Sequence, residues 1–529
     1  FLNPLCRSVF FLFQRCFYGE YTSAPALLQI HKSFPPNNLR YLTGSNRSSN
    51  FCAFPNLGHM AYTLCIIKCK GGISMEQLEK LAAFTAGFHL EDAPEAVVEA
   101  AKACVLDTVS VAIGAGSNQM YCGIKQVYLA QNLPGKHAAT VWGSGEKAPV
   151  QIAAFLNAMA GHTLEMDDVH TGSKTHIGTV VVPAAWAAAE AVGADGKGLL
   201  EAIVCGYEVM SRIGMGFGVS SHRNKGWHVT GTAGTFGAAA ACAKLYGFDA
   251  ARTLSAFGLA GMQSCTTWAF LTGSATDKVM HPARAAASGV ESCMLVQGGM
   301  TGTGDILNAA DGGIFPMMSD GYDYDLVCKG LGETWEILNM DKKPYPCCRS
   351  SHGSIDAALA LRRSYGIAAQ DIDHVDIDTY LVGLKQCGMS QGSLKPTLPT
   401  EAKFSTPYVT ATALLSGKVG LTDFQPDKIA DPQRQALLAR VKVHEAAEFT
   451  KEYPAHWSCR MQLTTRDGKK YTYTVPDASG SVAAPLTKAQ LRSKAMNCCA
   501  ELPEARLLPL FDALENLEKA QVLPETALR

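Results

Sequence analysis

From about residue 76 to about 338, apolar residues recur at helical spacing between short, Gly-punctuated breaks. Asp92-Ala93-Pro94-Glu95 reads as a helix start, with a cap, an early Pro and a first-turn acid. Val97, Val98, Ala101, Cys104, Val105, Val109 and Ala112 then fall on one face, and Gly114 and Gly116 end the run. The stretches 152–160, 181–192, 199–213, 232–245 and 283–297 repeat this style. Their many Ala and Gly residues predict helices whose backbones lie close together.

After about residue 339 the period changes. Residues 375–380 and 441–443 alternate like strands. Residues 461–465 and 471–475 flank Arg466-Asp467-Gly468-Lys469, which predicts a hairpin turned on the two residues Asp-Gly. Helical patterns at 352–365 and 406–415 are interleaved, and helix returns at 486–495 and 510–520. The expected fold is mainly α. A large all-helical domain (76–338) is completed by C-terminal helices (478–529) and carries an inserted α+β lid domain (339–477). A cleft between the two is the expected ligand site.

Residues 1–74 break the pattern: they are acid-poor, carry scattered Arg and Lys, and show no sustained period. They are expected to be a disordered extension or non-native leader, with the structured chain starting near Met75 behind a Ser74 cap and Gln77. A transit-peptide reading of the same stretch makes a mitochondrial location the alternative to a cytoplasmic one.

The 529 residues carry 46 Lys+Arg against 47 Asp+Glu, a net charge of −1. This balance offers no general attraction for nucleic acid or an anionic membrane, and neither is expected as a partner. The 18 cysteines are scattered and never form CxxC, so zinc-ribbon and thioredoxin chemistry lack their spacing. No GxGxxG follows a strand and no GxxxxGK[ST] occurs, which excludes the usual dinucleotide and P-loop signals.

The densest polar cluster is His162-Thr163-Leu164-Glu165-Met166-Asp167-Asp168-Val169-His170, followed by His176, set between apolar helices. Burying so many ionisable groups is expensive without a purpose. A capped, solvated helix end is the bland alternative, and a divalent-ion site is a second one, although no HExxH spacing occurs. His228 precedes a Gly-rich helix start, and Lys278 and His281 share a face three residues apart. Cys348 and Arg349 open a helix in the expected lid. Cations and helix N-termini can hold carboxylates while imidazoles and acids move protons. The inventory suits proton abstraction beside a carboxylate, with elimination, decarboxylation or epimerisation as outcomes.

Five ordered landmarks make the chain resemble the MmgE/PrpD family, which includes 2-methylcitrate dehydratase, cis-aconitate decarboxylase and iminodisuccinate epimerase. They are Glu165-Met166-Asp167-Asp168 with His176, Gly226-Trp227-His228, Lys278 with His281, Pro346-Cys347-Cys348-Arg349, and Glu401-Ala402-Lys403-Phe404-Ser405. The resemblance implies a homodimeric enzyme without metal or other cofactor, acting on a small polycarboxylate between its two domains. It implies catalytic roles for Glu165, His176, His228 and Lys278, and substrate binding by Asp168, His170, His281, Cys348 and Arg349. Glu165 stands where many members have Asp, Val169 where many have Thr, and Cys348 where the animal-type decarboxylase has His. The reading that follows is a cofactor-independent lyase, either dehydratase or decarboxylase. Epimerisation of an imino-dicarboxylate and non-catalytic carboxylate binding are the alternatives.

Overall fold

A computed structural model describes residues 77–273 and 275–528; the expectations for 1–74, including the start at Met75 and the Ser74 cap, lie outside the described residues. The small-residue segments form helices extended by about a turn at one or both ends: Val150–Thr163, Gly178–Val192, Gly196–Gly216, Val229–Leu245 and Met280–Gln297. Local chemistry sets some of their limits. Asp195 caps Gly196–Gly216 by accepting from the Gly198 amide at 2.8 Å. At Glu95–Gly114 the expected cap is corrected: Pro94 takes the N-cap position, and Asp92 ends a separate 3-10 turn, Leu90–Asp92.

Val229–Leu245 lies at the centre, buried from Val229 through Ala243 and packed against Gly196–Gly216, Met280–Gln297 and Gly178–Val192. A helix without a polar face must be surrounded in this way. Glycine permits the close approach. A Cβ on Gly237 would sit 2.6 Å from Met210 Cβ and 3.0 Å from the Gly206 carbonyl oxygen, and one on Gly289 would sit 2.3 Å from Ala238 Cβ. The helices Lys488–Cys498 and Glu504–Glu515 add Leu491, Ala495, Leu510 and Phe511 to the same core as Val105 and Trp186.

A second core, between Cys347 and Ala478, forms on a four-stranded sheet. Its order is Val441–Glu445, Ile372–Thr379, Cys459–Thr465, Lys470–Val475. The first pair is parallel and the other two are antiparallel. Helices His352–Tyr365 and Thr406–Ser416 pack together and contribute Ile355, Leu361, Val409 and Leu414 to this core. The hairpin turn differs from the expected two-residue form. Gly468 N–H donates to the Thr465 carbonyl and Thr465 N–H to the Lys469 carbonyl, each at 2.9 Å, with Gly468 at φ +83°. That is a three-residue turn closing on a left-handed glycine.

One short ladder bears directly on function. Val169–His170 pairs antiparallel with Met340–Asp341, which ties the polar cluster to a segment far away in the chain and brings Lys342 and Lys343 alongside it. Among the described residues no helix is long and apolar enough to cross a membrane.

Candidate active site

Glu165 sits just beyond the Val150–Thr163 helix with φ +57°, in the left-handed region. A side-chain-bearing residue there costs on the order of 1–3 kcal/mol, so its surroundings must hold it in place. Its carboxylate pairs with Lys278 through one oxygen and receives Lys343 Nζ at 3.1 Å on the other. All three side chains are buried. Burial pushes the Glu165 carboxyl up, but the two ammonium groups outweigh it and hold it well below the usual carboxylate range. Lys343 loses by desolvation and gains more from Glu165 and Asp167, so it stays charged.

Asp167 serves the histidines. Its Oδ2 accepts from His162 Nδ1 at 2.7 Å and stands 2.9 Å from His176 Nδ1, out of line for a full hydrogen bond. The ionised carboxylate can only accept, so it favours the proton on each facing Nδ1. Burial nevertheless lowers the His176 pKa to about 4, and its imidazole is neutral near pH 7. His228 holds the N-cap position of the Val229–Leu245 helix without a side-chain cap hydrogen bond, and its Nδ1 meets His281 Nδ1 at 2.7 Å. Burial, then the fields of His281 and Lys278, hold His228 well below the ordinary imidazole value. The rings of His162 and His176 are 4.7 Å apart, those of His176 and His228 6.2 Å, and those of His228 and Trp268 4.7 Å. The result is a row of imidazoles beside the Glu165–lysine cluster, with His162 Nε2 3.9 Å from Glu165 Oε1.

Several of these groups line one cavity. Glu165, His176, His228, Lys278, Lys343 and Cys348 all face it, and its volume is about 60 Å³. A neighbouring cavity of about 260 Å³ shares Glu165, Lys278 and Phe404 as its wall and is lined by His162 and Lys403 on its far side. Burial lowers the Lys403 pKa to about 8. Cys348 packs with Cys387, Phe270 and Phe404.

The remaining sequence-derived candidates go elsewhere. Asp168 accepts from the Gly178 amide at 2.8 Å and the Tyr207 hydroxyl at 2.7 Å, away from the cavity; burial and Asp107 raise its pKa to about 6. His170 is turned to Ser173 Oγ at 2.8 Å and Glu336 Oε2 at 3.1 Å. Arg349 borders the cavity, but its guanidinium is committed to Asp341 at 2.9 Å and to the Ala478 and Ser479 carbonyls at 3.1 Å. His281 backs His228 without facing the cavity. Sequence reasoning missed Asp167 as the acid that meets the imidazoles, and Lys343 altogether. The one usable signal for Lys343 was its place shortly before Pro346-Cys347-Cys348-Arg349.

His162, Asp167 and His176 bring potential metal-ligating atoms within 4.8 Å of one another. Lys343 Nζ already stands 3.7 Å from Asp167 Oδ1, so a fixed cation occupies the electrostatic role a divalent ion would take there.

Comparisons with known proteins agree with this architecture. Residues 79–327 match the MmgE/PrpD N-terminal domain, and residues 345–508 match the MmgE/PrpD C-terminal domain. The cis-aconitate decarboxylase of Aspergillus terreus is 26% identical over 470 residues, covering 85% of this chain and 94% of the relative. The cis-aconitate decarboxylase-like protein oryM of Aspergillus oryzae is 27% identical over 422 residues, covering 76% and 86%. The mouse cis-aconitate decarboxylase is 25% identical over 460 residues, covering 84% and 92%. With both domain models matched in order along one continuous fold, the chain belongs to the MmgE/PrpD family.

Proposed function

We propose that this chain is a cofactor-independent lyase acting on a small di- or tricarboxylate, with decarboxylation of a cis-aconitate-like substrate as the favoured reaction. One observation carries the reading: two buried lysines converge on a single carboxylate beside imidazoles that burial keeps neutral. A substrate carboxylate entering this cavity meets Lys278 and Lys343. Its charge also favours the imidazolium form of His176 or His228.

Decarboxylation then needs little more. The C–C bond to the leaving carboxylate breaks, carbon dioxide departs, and the electron pair spreads into a neighbouring carboxylate as an enolate-like dianion. The lysines stabilise that charge as it develops. An imidazolium returns a proton to carbon, and the pair on carbon becomes a C–H bond. Val169 borders the cavity with no hydroxyl to offer, which is easier to reconcile with this route than with expulsion of water. The names of the similar proteins from Aspergillus and mouse support the same choice.

The test is turnover of purified protein with cis-aconitate, 2-methylcitrate and iminodisuccinate, followed by product NMR and carbon dioxide release, with and without chelator. Carbon dioxide release from cis-aconitate, unaffected by chelator, is expected. Water loss from 2-methylcitrate or epimerisation of iminodisuccinate in its place would overturn the decarboxylase reading, and turnover abolished by chelator would overturn cofactor independence.

A further inference from the structure

The inner cations of the cavity are neutralised within the protein, by Glu165 and Asp167. Two other basic groups on its wall, Lys174 and Arg223, are not; burial pushes the Lys174 amine well below its usual range against the fields of Asp341 and Asp477, and an anion beside it would restore its charge. Arg223 lies on the short helix Val219–Asn224 with its guanidinium 4.4 Å from the centre of the Trp268 ring, and its buried Nε has no hydrogen-bond partner. Lys174 Nζ sits 4.1 Å from the centre of the Trp457 ring and 5.1 Å from that of Tyr453. It donates to the Pro454 carbonyl at 3.0 Å and to the Thr171 carbonyl. Neither cation has a carboxylate within ion-pair distance among the described residues. Cations over aromatic faces gain something from the rings, but carboxylate acceptors satisfy them far better.

The backbone adds a second observation. Among the described residues only Glu165 and Lys174 have positive φ without being glycine, and both border this cavity. Lys174 is held at φ +60°, a conformation that costs on the order of 1–3 kcal/mol and gathers at functional sites. The position relative to the reacting groups is also fixed. Arg223 lies 4.4 Å from the centre of the Trp268 ring and the His228 ring lies 4.7 Å from it, so both groups pack against one indole.

We infer that Arg223 and Lys174 form an outer carboxylate subsite, which selects substrates carrying a second anionic group beyond the one held by Lys278 and Lys343. The inference rests on the carboxylate-lyase reading and deepens it. A monocarboxylate satisfies only the inner lysines. A di- or tricarboxylate reaches both ends, and the aromatic walls keep water from competing for the outer cations.

The experiment is calorimetric titration of the full chain with propane-1,2,3-tricarboxylate and, separately, with butyrate. It uses wild type, Arg223→Gln, Arg223→Lys and Lys174→Met, with melting curves to establish folding. Loss of a charged hydrogen bond in each neutral variant should weaken the tricarboxylate by about tenfold or more. Butyrate should be unaffected, and Arg223→Lys should retain part of the affinity. With a substrate that turns over, KM should rise while kcat holds. Wild-type tricarboxylate affinity in both neutral variants, or an equal loss for butyrate, overturns the subsite alone. A wild-type protein that binds no carboxylate overturns the subsite together with the function it rests on.

Discussion

His228 and His281 face each other Nδ1 to Nδ1 at 2.7 Å, so one ring must donate and the other accept. A second proton between them is disfavoured, and burial reinforces that: His281 falls to about 3 and His228 lies well below the ordinary value. Removing His281 removes one of the fields that depress His228. His281→Asn should therefore raise the His228 proton affinity and move the limb of the kcat/KM profile that His228 sets (the alkaline limb, if its imidazolium is the proton donor) to higher pH, with the protein still folded. An unmoved or acid-shifted limb would show that the pair does not set the proton affinity of His228.

Asp167 holds two imidazoles through one oxygen. Asp167→Asn keeps the shape and removes the charge that favours Nδ1–H on His162 and His176. We expect kcat to fall by about 10²-fold or more with KM changed far less, by analogy with carboxylates that orient catalytic histidines. A raised KM with kcat unchanged would point to simple loss of binding.

Lys278 is the cation in contact with Glu165 in the wall between the two cavities. Lys278→Ala leaves Glu165 paired with Lys343 at 3.1 Å, so the fold should survive. Steady-state kinetics should show kcat/KM reduced by about 10²–10³-fold, the usual scale for a lost oxyanion-stabilising group. Unchanged rates would remove Lys278 from the chemistry.

Cys348 differs from the other buried thiols. A hydrogen bond with Cys387 leads the causes that lower its pKa to about 7, against burial and with help from Lys343 and Lys278. Burial instead drives its neighbour Cys347 up to about 12. Iodoacetamide labelling followed by peptide mapping should give a midpoint near pH 7 at Cys348, and a bound polycarboxylate should slow it. A midpoint at or above about 8.5, the ordinary thiol value, would contradict the thiolate assignment.

Stability should fall on acidification. Burial depresses His176 and His222 to about 4 and His281 to about 3, and lowers His170, His228 and His352 as well. Unfolded, these titrate near 6.5. Between pH 6.5 and about 4 the unfolded chain takes up protons that the native imidazoles refuse, so stability present above pH 6.5 is lost as pH falls. Asp168, raised to about 6, and Glu208, raised to about 7, act in the opposite direction but are fewer. Each net proton taken up is worth about 1.4 kcal/mol per pH unit. Denaturant unfolding at pH 7, 6 and 5 checks the sign; a flat or rising stability would refute it.

The helices were legible because Ala and Gly at helical spacing leave few other ways to bury so much small apolar surface. Gly237, Gly206 and Gly289 then fit where any side chain would collide. The parallel pairing of Ile372–Thr379 with Val441–Glu445 was not legible, since nothing local encodes a partner so far along the chain. The site divides in the same way. His176, His228, Glu165 and Lys278 stood out as ionisable groups in apolar company, and all four border one cavity. The choice between Asp167 and Asp168 was beyond the sequence, because the left-handed turn at Glu165 determines which carboxylate faces the imidazoles. Lys343 reaches Glu165 across 178 residues, through a two-residue ladder with no local signature.

The wall shared by the two cavities has a kinetic consequence. At about 60 Å³ the chamber beside the imidazoles is far smaller than ordinary small-molecule sites, which start near 300 Å³. With the neighbouring chamber of about 260 Å³ added, the space reaches the foot of that range. Glu165, Lys278 and Phe404 stand between the two chambers, and under the proposed function a polycarboxylate would gain room by exchanging one of its own oxygens for that of Glu165 on the lysine. Entry and exit would then be paced by the breaking of a buried ion pair, with the Glu165 carboxylate standing in for the substrate anion in the resting state.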